Sequence, residues 1–62
     1  MTPREKEVLR HASQGLTMKE IGEKLFLSHG TVRNYMSEIM DKLEAKNKLD
    51  AVRIAQTKGW LE

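Results

Sequence analysis

The sequence predicts an all-α fold, a compact four-helix domain containing a helix-turn-helix. Three observations carry this expectation. Short polar residues stand four times where a helix N-cap belongs, apolar residues recur with the helical period, and the β-branched or aromatic alternation of strands is absent. The chain has 62 residues, enough for one small domain that buries roughly 60% of its unfolded surface. It has no cysteine, so apolar packing must hold it together without disulfides or a thiolate zinc site, and a reducing cytoplasm is the expected home.

The first helix is expected over about 3–14. Thr2 caps it, Pro3 takes the first helical position, and Glu5 is placed to return a hydrogen bond as a capping box. Val8, Leu9 and Ala12 follow the helical period, and Gly15 is a left-handed stop. The second helix, about 18–25, opens on Thr17 with Glu20 as the returning carboxylate, and Ile21 and Leu25 face inward. Gly22 sits among these apolar residues and points to close approach by a neighbouring helix, against the alternative of a tolerated surface glycine. Only "FLS" separates this helix from the next, a link so short that the two must meet in a sharp turn.

The third helix, about 29–43, opens on Ser28 with Thr31 where an acid would complete the box. At 100° per residue, Met36, Ile39 and Leu43 fall within about 40° of Val32 and form a core stripe. The opposite side divides along its length. Gly30, Arg33, Asn34 and Ser37 come first, whereas Glu38, Asp41 and Glu44 follow. Carboxylates repel phosphates, so such a helix can enter a DNA groove only by its leading end, where free N–H groups and the helix dipole also favour phosphate. Arg33 has the fork that matches guanine O6 and N7, and Asn34 has the paired donor and acceptor that match adenine N6 and N7. Thr31 and Ser37 suit phosphate or base edges, and Gly30 lets the first turn come close to a sugar-phosphate backbone.

A fourth helix, about 48–58, opens on Asn47 with Asp50 in its first turn, turning Ala51, Val52 and Ala55 inward and Leu49, Arg53 and Gln56 to another side. Trp60 is expected to lid the core, the alternative being an exposed anchor for a partner. Eleven Lys and Arg against nine Asp and Glu give a net charge of +2, a mild bias toward polyanions. No apolar run approaches the roughly 20 residues that span a bilayer, so no membrane association is expected. His11 and His29 do not form a metal set, Met36 and Met40 are packing residues, no cofactor motif is present, and no nucleophile stands with a base, so no enzyme is expected.

The segments "TPREKEVL", "KEIGEKLFLS" and "TVRNY" make the chain resemble, over nearly its whole length, the C-terminal effector domain of the LuxR/NarL/FixJ family of bacterial transcription regulators. The resemblance implies one DNA-binding domain over residues 1–62, the C-terminal part of a longer regulator whose upstream domain is most often a phosphorylatable receiver, as in two-component response regulators. It implies that Arg33, Asn34 and Ser37 read bases, that Lys19, Thr31, Lys46 and Lys48 lie along phosphates, and that the fourth helix supports dimerisation; the residue pattern itself adds Gly30 at the phosphate backbone and Leu49, Arg53 and Gln56 as the dimer contacts on that helix. With so small an exposed face, the expected form is a monomer or weak dimer that pairs on an inverted-repeat operator. RNA polymerase is a further expected partner. Tyr35, Ala45 and Lys48 stand where the family commonly has histidine, valine and arginine, and Gly30 replaces a commoner long polar residue. The rival functions are a helical protein-interaction module, in which Arg33 and Asn34 meet an acidic protein surface, and a promoter-recognition region like that of a sigma factor.

Overall fold

Each helix starts on the cap that the sequence marks. The computed structural model describes residues 1–60, with helices α1 (Pro3–Ser13), α2 (Met18–Leu25), α3 (His29–Leu43) and α4 (Lys48–Thr57). Thr2 Oγ1 accepts from the Glu5 N–H at 3.3 Å while Glu5 Oε1 accepts from the Thr2 N–H at 2.9 Å. Thr17 and Glu20 repeat that box at 3.2 and 2.8 Å. Ser28 Oγ accepts from the Thr31 N–H at 3.1 Å, and Asn47 Oδ1 from the Asp50 N–H at 2.8 Å. Each side chain satisfies an N–H that the helix itself leaves unpaired.

The four ends are also alike. An N–H bonds back five residues in every case, from Leu16 to His11, Leu27 to Gly22, Ala45 to Met40 and Trp60 to Ala55. The residue before each donor is left-handed: Gly15 at φ 88°, Phe26 at 58°, Glu44 at 53° and Gly59 at 74°. This closure suits glycine, because a Cβ is crowded at positive φ. Two of the four ends nevertheless carry a side chain there.

Val8, Leu9, Ile21, Val32, Ile39, Ala51 and Ala55 are completely buried, with Met36, Ala12 and Val52 nearly so. Leu43, at the end of the α3 stripe, is partly buried and packed against this core. α3 packs against each of the other three helices, α1 against α2 and α4 as well, and α2 and α4 do not meet. Trp60 is half-buried and packs on the core from the C-terminal side, as a lid would.

Gly22 is buried, and the close approach expected of it is real, but its main neighbour is the turn rather than a helix. A Cβ placed there would lie 2.6 Å from the Leu27 carbonyl oxygen, with Val32 Cγ2 of α3 next at 3.5 Å. The Leu27 peptide thus folds back on Gly22 through both its N–H and its carbonyl. Glu5 does more than cap. It is 2% exposed, the one buried charged side chain among the described residues, and Lys42 Nζ of α3 reaches both of its oxygens at 2.9 Å. The Thr2 N–H first and Lys42 second hold its carboxyl below the ordinary value.

Two measurements follow from this packing. Alanine at an open helical position gains about 1 kcal/mol over glycine, but Gly22→Ala should cost about 1–3 kcal/mol in urea unfolding because backbone has to move. No loss would remove the steric account. Because folding lowers the Glu5 pKa, its contribution is complete above the unfolded carboxylate value and is lost as pH falls through the folded one. Glu5→Gln should therefore weaken the fold at neutral pH and flatten its decline in acid, and thermal melts with the wild-type acid slope would contradict this.

Candidate nucleic-acid interface

The outer side of the leading half of α3 is open. Ser28, Gly30, Thr31, Arg33, Asn34 and Ser37 line a shallow concavity of about 460 Å³. All are exposed except Thr31, which is half-buried. Val32, Met36 and Ile39 hold the other side of the same helix in the core, so the orientation of Arg33, Asn34 and Ser37 is fixed by residues one to three positions away. Among the described residues, the side chains of these three have no hydrogen bond or ion pair within the protein, leaving every donor and acceptor available to a ligand.

Gly30 has nothing within 4 Å of the place a Cβ would occupy, so the fold itself does not require glycine there. The space in front of it is open to an approaching backbone. The Ser28 and Thr31 hydroxyls lie 2.8 Å apart, and with Ser28 Oγ already accepting the Thr31 N–H, one hydroxyl hydrogen remains to be offered outward.

No acid occupies the first turn of α3. Glu38, Asp41 and Glu44 are exposed on its rear half, while the Lys42 charge is committed to Glu5. The helix therefore carries a cationic, donor-rich front and an uncompensated acidic back. Phosphate attracted to one end is repelled from the other.

No lysine lines the concavity. Lys19 is exposed in the first turn of α2. Lys46 is exposed in the α3–α4 connection, where its N–H donates to Asp50 Oδ2 at 3.0 Å. That bond first and Arg53 second lower the Asp50 pKa, so the loop is pinned beside a stable carboxylate. Lys48 is half-buried, and its Nζ donates to the Leu16 carbonyl at 3.4 Å. This draws the start of α4 toward the start of α2, the helix that carries Lys19. Leu49 is 77% exposed. Arg53 and Gln56 are exposed beside it on α4, with Arg53 Nη2 2.6 Å from Asp50 Oδ1. His29 is exposed and His11 half-buried, and among the described residues no His, Cys, Asp and Glu side chains group to hold a metal ion.

Residues 1–55 match the family model for bacterial regulatory proteins of the luxR family. The chain belongs to that family. As a luxR-family helix-turn-helix domain it is a DNA-binding module of transcription regulation. The transcriptional regulatory protein YvfU of Bacillus subtilis is 56% identical over 61 residues, covering 98% of this chain and 30% of that protein. The response regulator RamR of Streptomyces coelicolor is 52% identical over 60 residues, covering 97% and 30%. The spore germination protein GerE of Bacillus subtilis is 44% identical over 62 residues, covering all of this chain and 84% of GerE. The chain thus spans under a third of YvfU and RamR but most of GerE.

Features of this luxR-family domain that escape a reading of its sequence include the following. One is the Glu5–Lys42 tie, made between residues 37 positions apart, for which no local pattern exists. Another is Phe26, 95% exposed and left-handed between α2 and α3. The three-residue link gave the only signal for it.

Proposed function

We propose that this chain reads double-stranded DNA by setting the leading half of α3 in the major groove. Arg33, Asn34 and Ser37 then face base edges, while Lys19, Gly30, Thr31, Lys46 and Lys48 run along the phosphates. The observation that supports it best is the outer face of α3 itself, where base-matching side chains without protein partners project from a helix whose inner face is locked in the core. Lys48 has the weakest case, because its ammonium is shared with the Leu16 carbonyl.

The domain is proposed to be the C-terminal part of a longer response regulator, with an upstream receiver, working in the cytoplasm. The shares of YvfU and RamR that it matches support this. Leu49, Arg53 and Gln56, lying i, i+4 and i+7 on α4, are its proposed dimer contacts. One exposed leucine and two polar residues favour a weak homodimer that forms on an inverted-repeat operator, where two adjacent half-sites raise the effective concentration of the second copy.

Selection of bound fragments from random DNA supplies the site on which this can be measured. On it, Arg33→Ala should cost about 1–3 kcal/mol and relax the preference at one base pair. Lys46→Ala should weaken cognate and random DNA alike and lower the salt slope by about one. Equal losses on cognate and random DNA for Arg33→Ala would take it out of the reading role, and absence of any retardation would favour the protein-interaction alternative. In sedimentation the free chain should run as a monomer or weak dimer; a tight dimer without DNA would contradict the assembly proposed here.

A further inference from the structure

The stripe of α4 that is proposed to pair two copies carries a charge conflict. Leu49, Arg53 and Gln56 follow one another along one side of the helix, and a two-fold contact uses the same surface on both copies. If the axis runs along the helix, each residue meets its own copy; if it runs across, the ends exchange partners and the middle residue meets itself. Arg53 is the middle residue. In either arrangement two guanidinium groups come together, their side chains 74% exposed in the free chain. Like charges set against each other at an interface oppose association.

The compensating charge is already in place. Asp50 is the one acid of α4, and its Oδ1 lies 2.6 Å from Arg53 Nη2. The Asp50 side chain is only 16% exposed, and backbone holds it from two directions. Its Oδ2 accepts from the Lys46 N–H at 3.0 Å, and its own N–H donates to Asn47 Oδ1 at 2.8 Å. Lys48, the other cation of the helix, turns instead to the Leu16 carbonyl. The short carboxylate is therefore the fixed partner, and the long guanidinium side chain is drawn to it. An ion pair this close to solvent adds little to the stability of a single copy.

We propose that Asp50 is the positioning residue of the pairing face, neutralising Arg53 in each copy so that two α4 helices can meet there on adjoining half-sites. Four charges, two of each sign, then lie across the axis in place of two like ones. The same carboxylate pins Lys46, proposed to lie on phosphate, so the pairing face is tied to a loop that meets DNA. The inference rests on the dimer reading and names the group on which that pairing depends.

The test compares the selected operator with a duplex in which one half-site is scrambled. The pairing gain is the ratio of the chain's affinities for the two. Asp50→Asn keeps a carbonyl for the Lys46 N–H and leaves the backbone bond to Asn47, but removes the charge. It should bind the scrambled duplex at least as well as wild type, which shows that it is folded, while its pairing gain falls about five-fold or more. Adding Arg53→Gln removes the stranded cation and should restore part of the lost gain. A full gain in Asp50→Asn overturns the proposal. So does a loss that Arg53→Gln leaves untouched, because the carboxylate would then serve the loop and its cap alone, and so does an equal loss on both duplexes. A wild-type chain with no pairing gain would sink the dimer reading and this proposal with it, and that failure is visible before any substitution is made.

Discussion

Gly22 and Leu27 share a space that admits no Cβ, and the arrangement of α2 and α3 follows from that contact. The Leu27 N–H bonds to the Gly22 carbonyl at 2.8 Å, and the Leu27 carbonyl fills the place where a side chain at position 22 would stand. The chain reverses at once and reaches the Ser28 cap in three residues. Val32, four residues beyond that cap, already meets Gly22. The short link sets how directly α3 follows α2, and the buried stripe of Val32, Met36 and Ile39 sets which side of α3 faces outward.

α3 carries two demands along one axis. Its inner stripe touches all three neighbouring helices, so its orientation is determined by the whole core rather than by the turn alone. Lys42 adds a third restraint by tying its rear to the first turn of α1 through Glu5. A buried carboxylate left without this partner would carry a desolvation cost. With the helix held at both ends and along one face, the free front can present Arg33 and Asn34 at fixed angles. In physical terms the backbone is preorganised, so little backbone ordering remains to oppose binding, while the free side chains are ordered by the ligand.

Much of this was legible in the sequence because the signals are local. Caps at Thr2, Thr17, Ser28 and Asn47 announce helix starts within three residues, and the period of Val32, Met36 and Ile39 announces a buried stripe. The outer residues of α3 were legible for a complementary reason, since Arg33 and Asn34 are types that no core demands. Phe26 and Glu44 were not, because left-handed closure at a residue other than glycine is imposed by the packing of helices that meet only after folding. The neighbour of Gly22 was misjudged on the same ground. The sequence reveals a need for space but not which atoms fill it. Lys48 illustrates the limit at the site, for its contact with Leu16 joins residues 32 positions apart.

The polarity of α3 is the claim on which the functional account stands, and amide chemical-shift mapping with a selected duplex tests it most directly. The account requires the largest shifts over Gly30–Ser37, with smaller ones at Lys19 and Lys46 and little change over Glu38–Glu44. Strong shifts confined to the Glu38–Glu44 segment, with the Gly30–Ser37 segment silent, would contradict it.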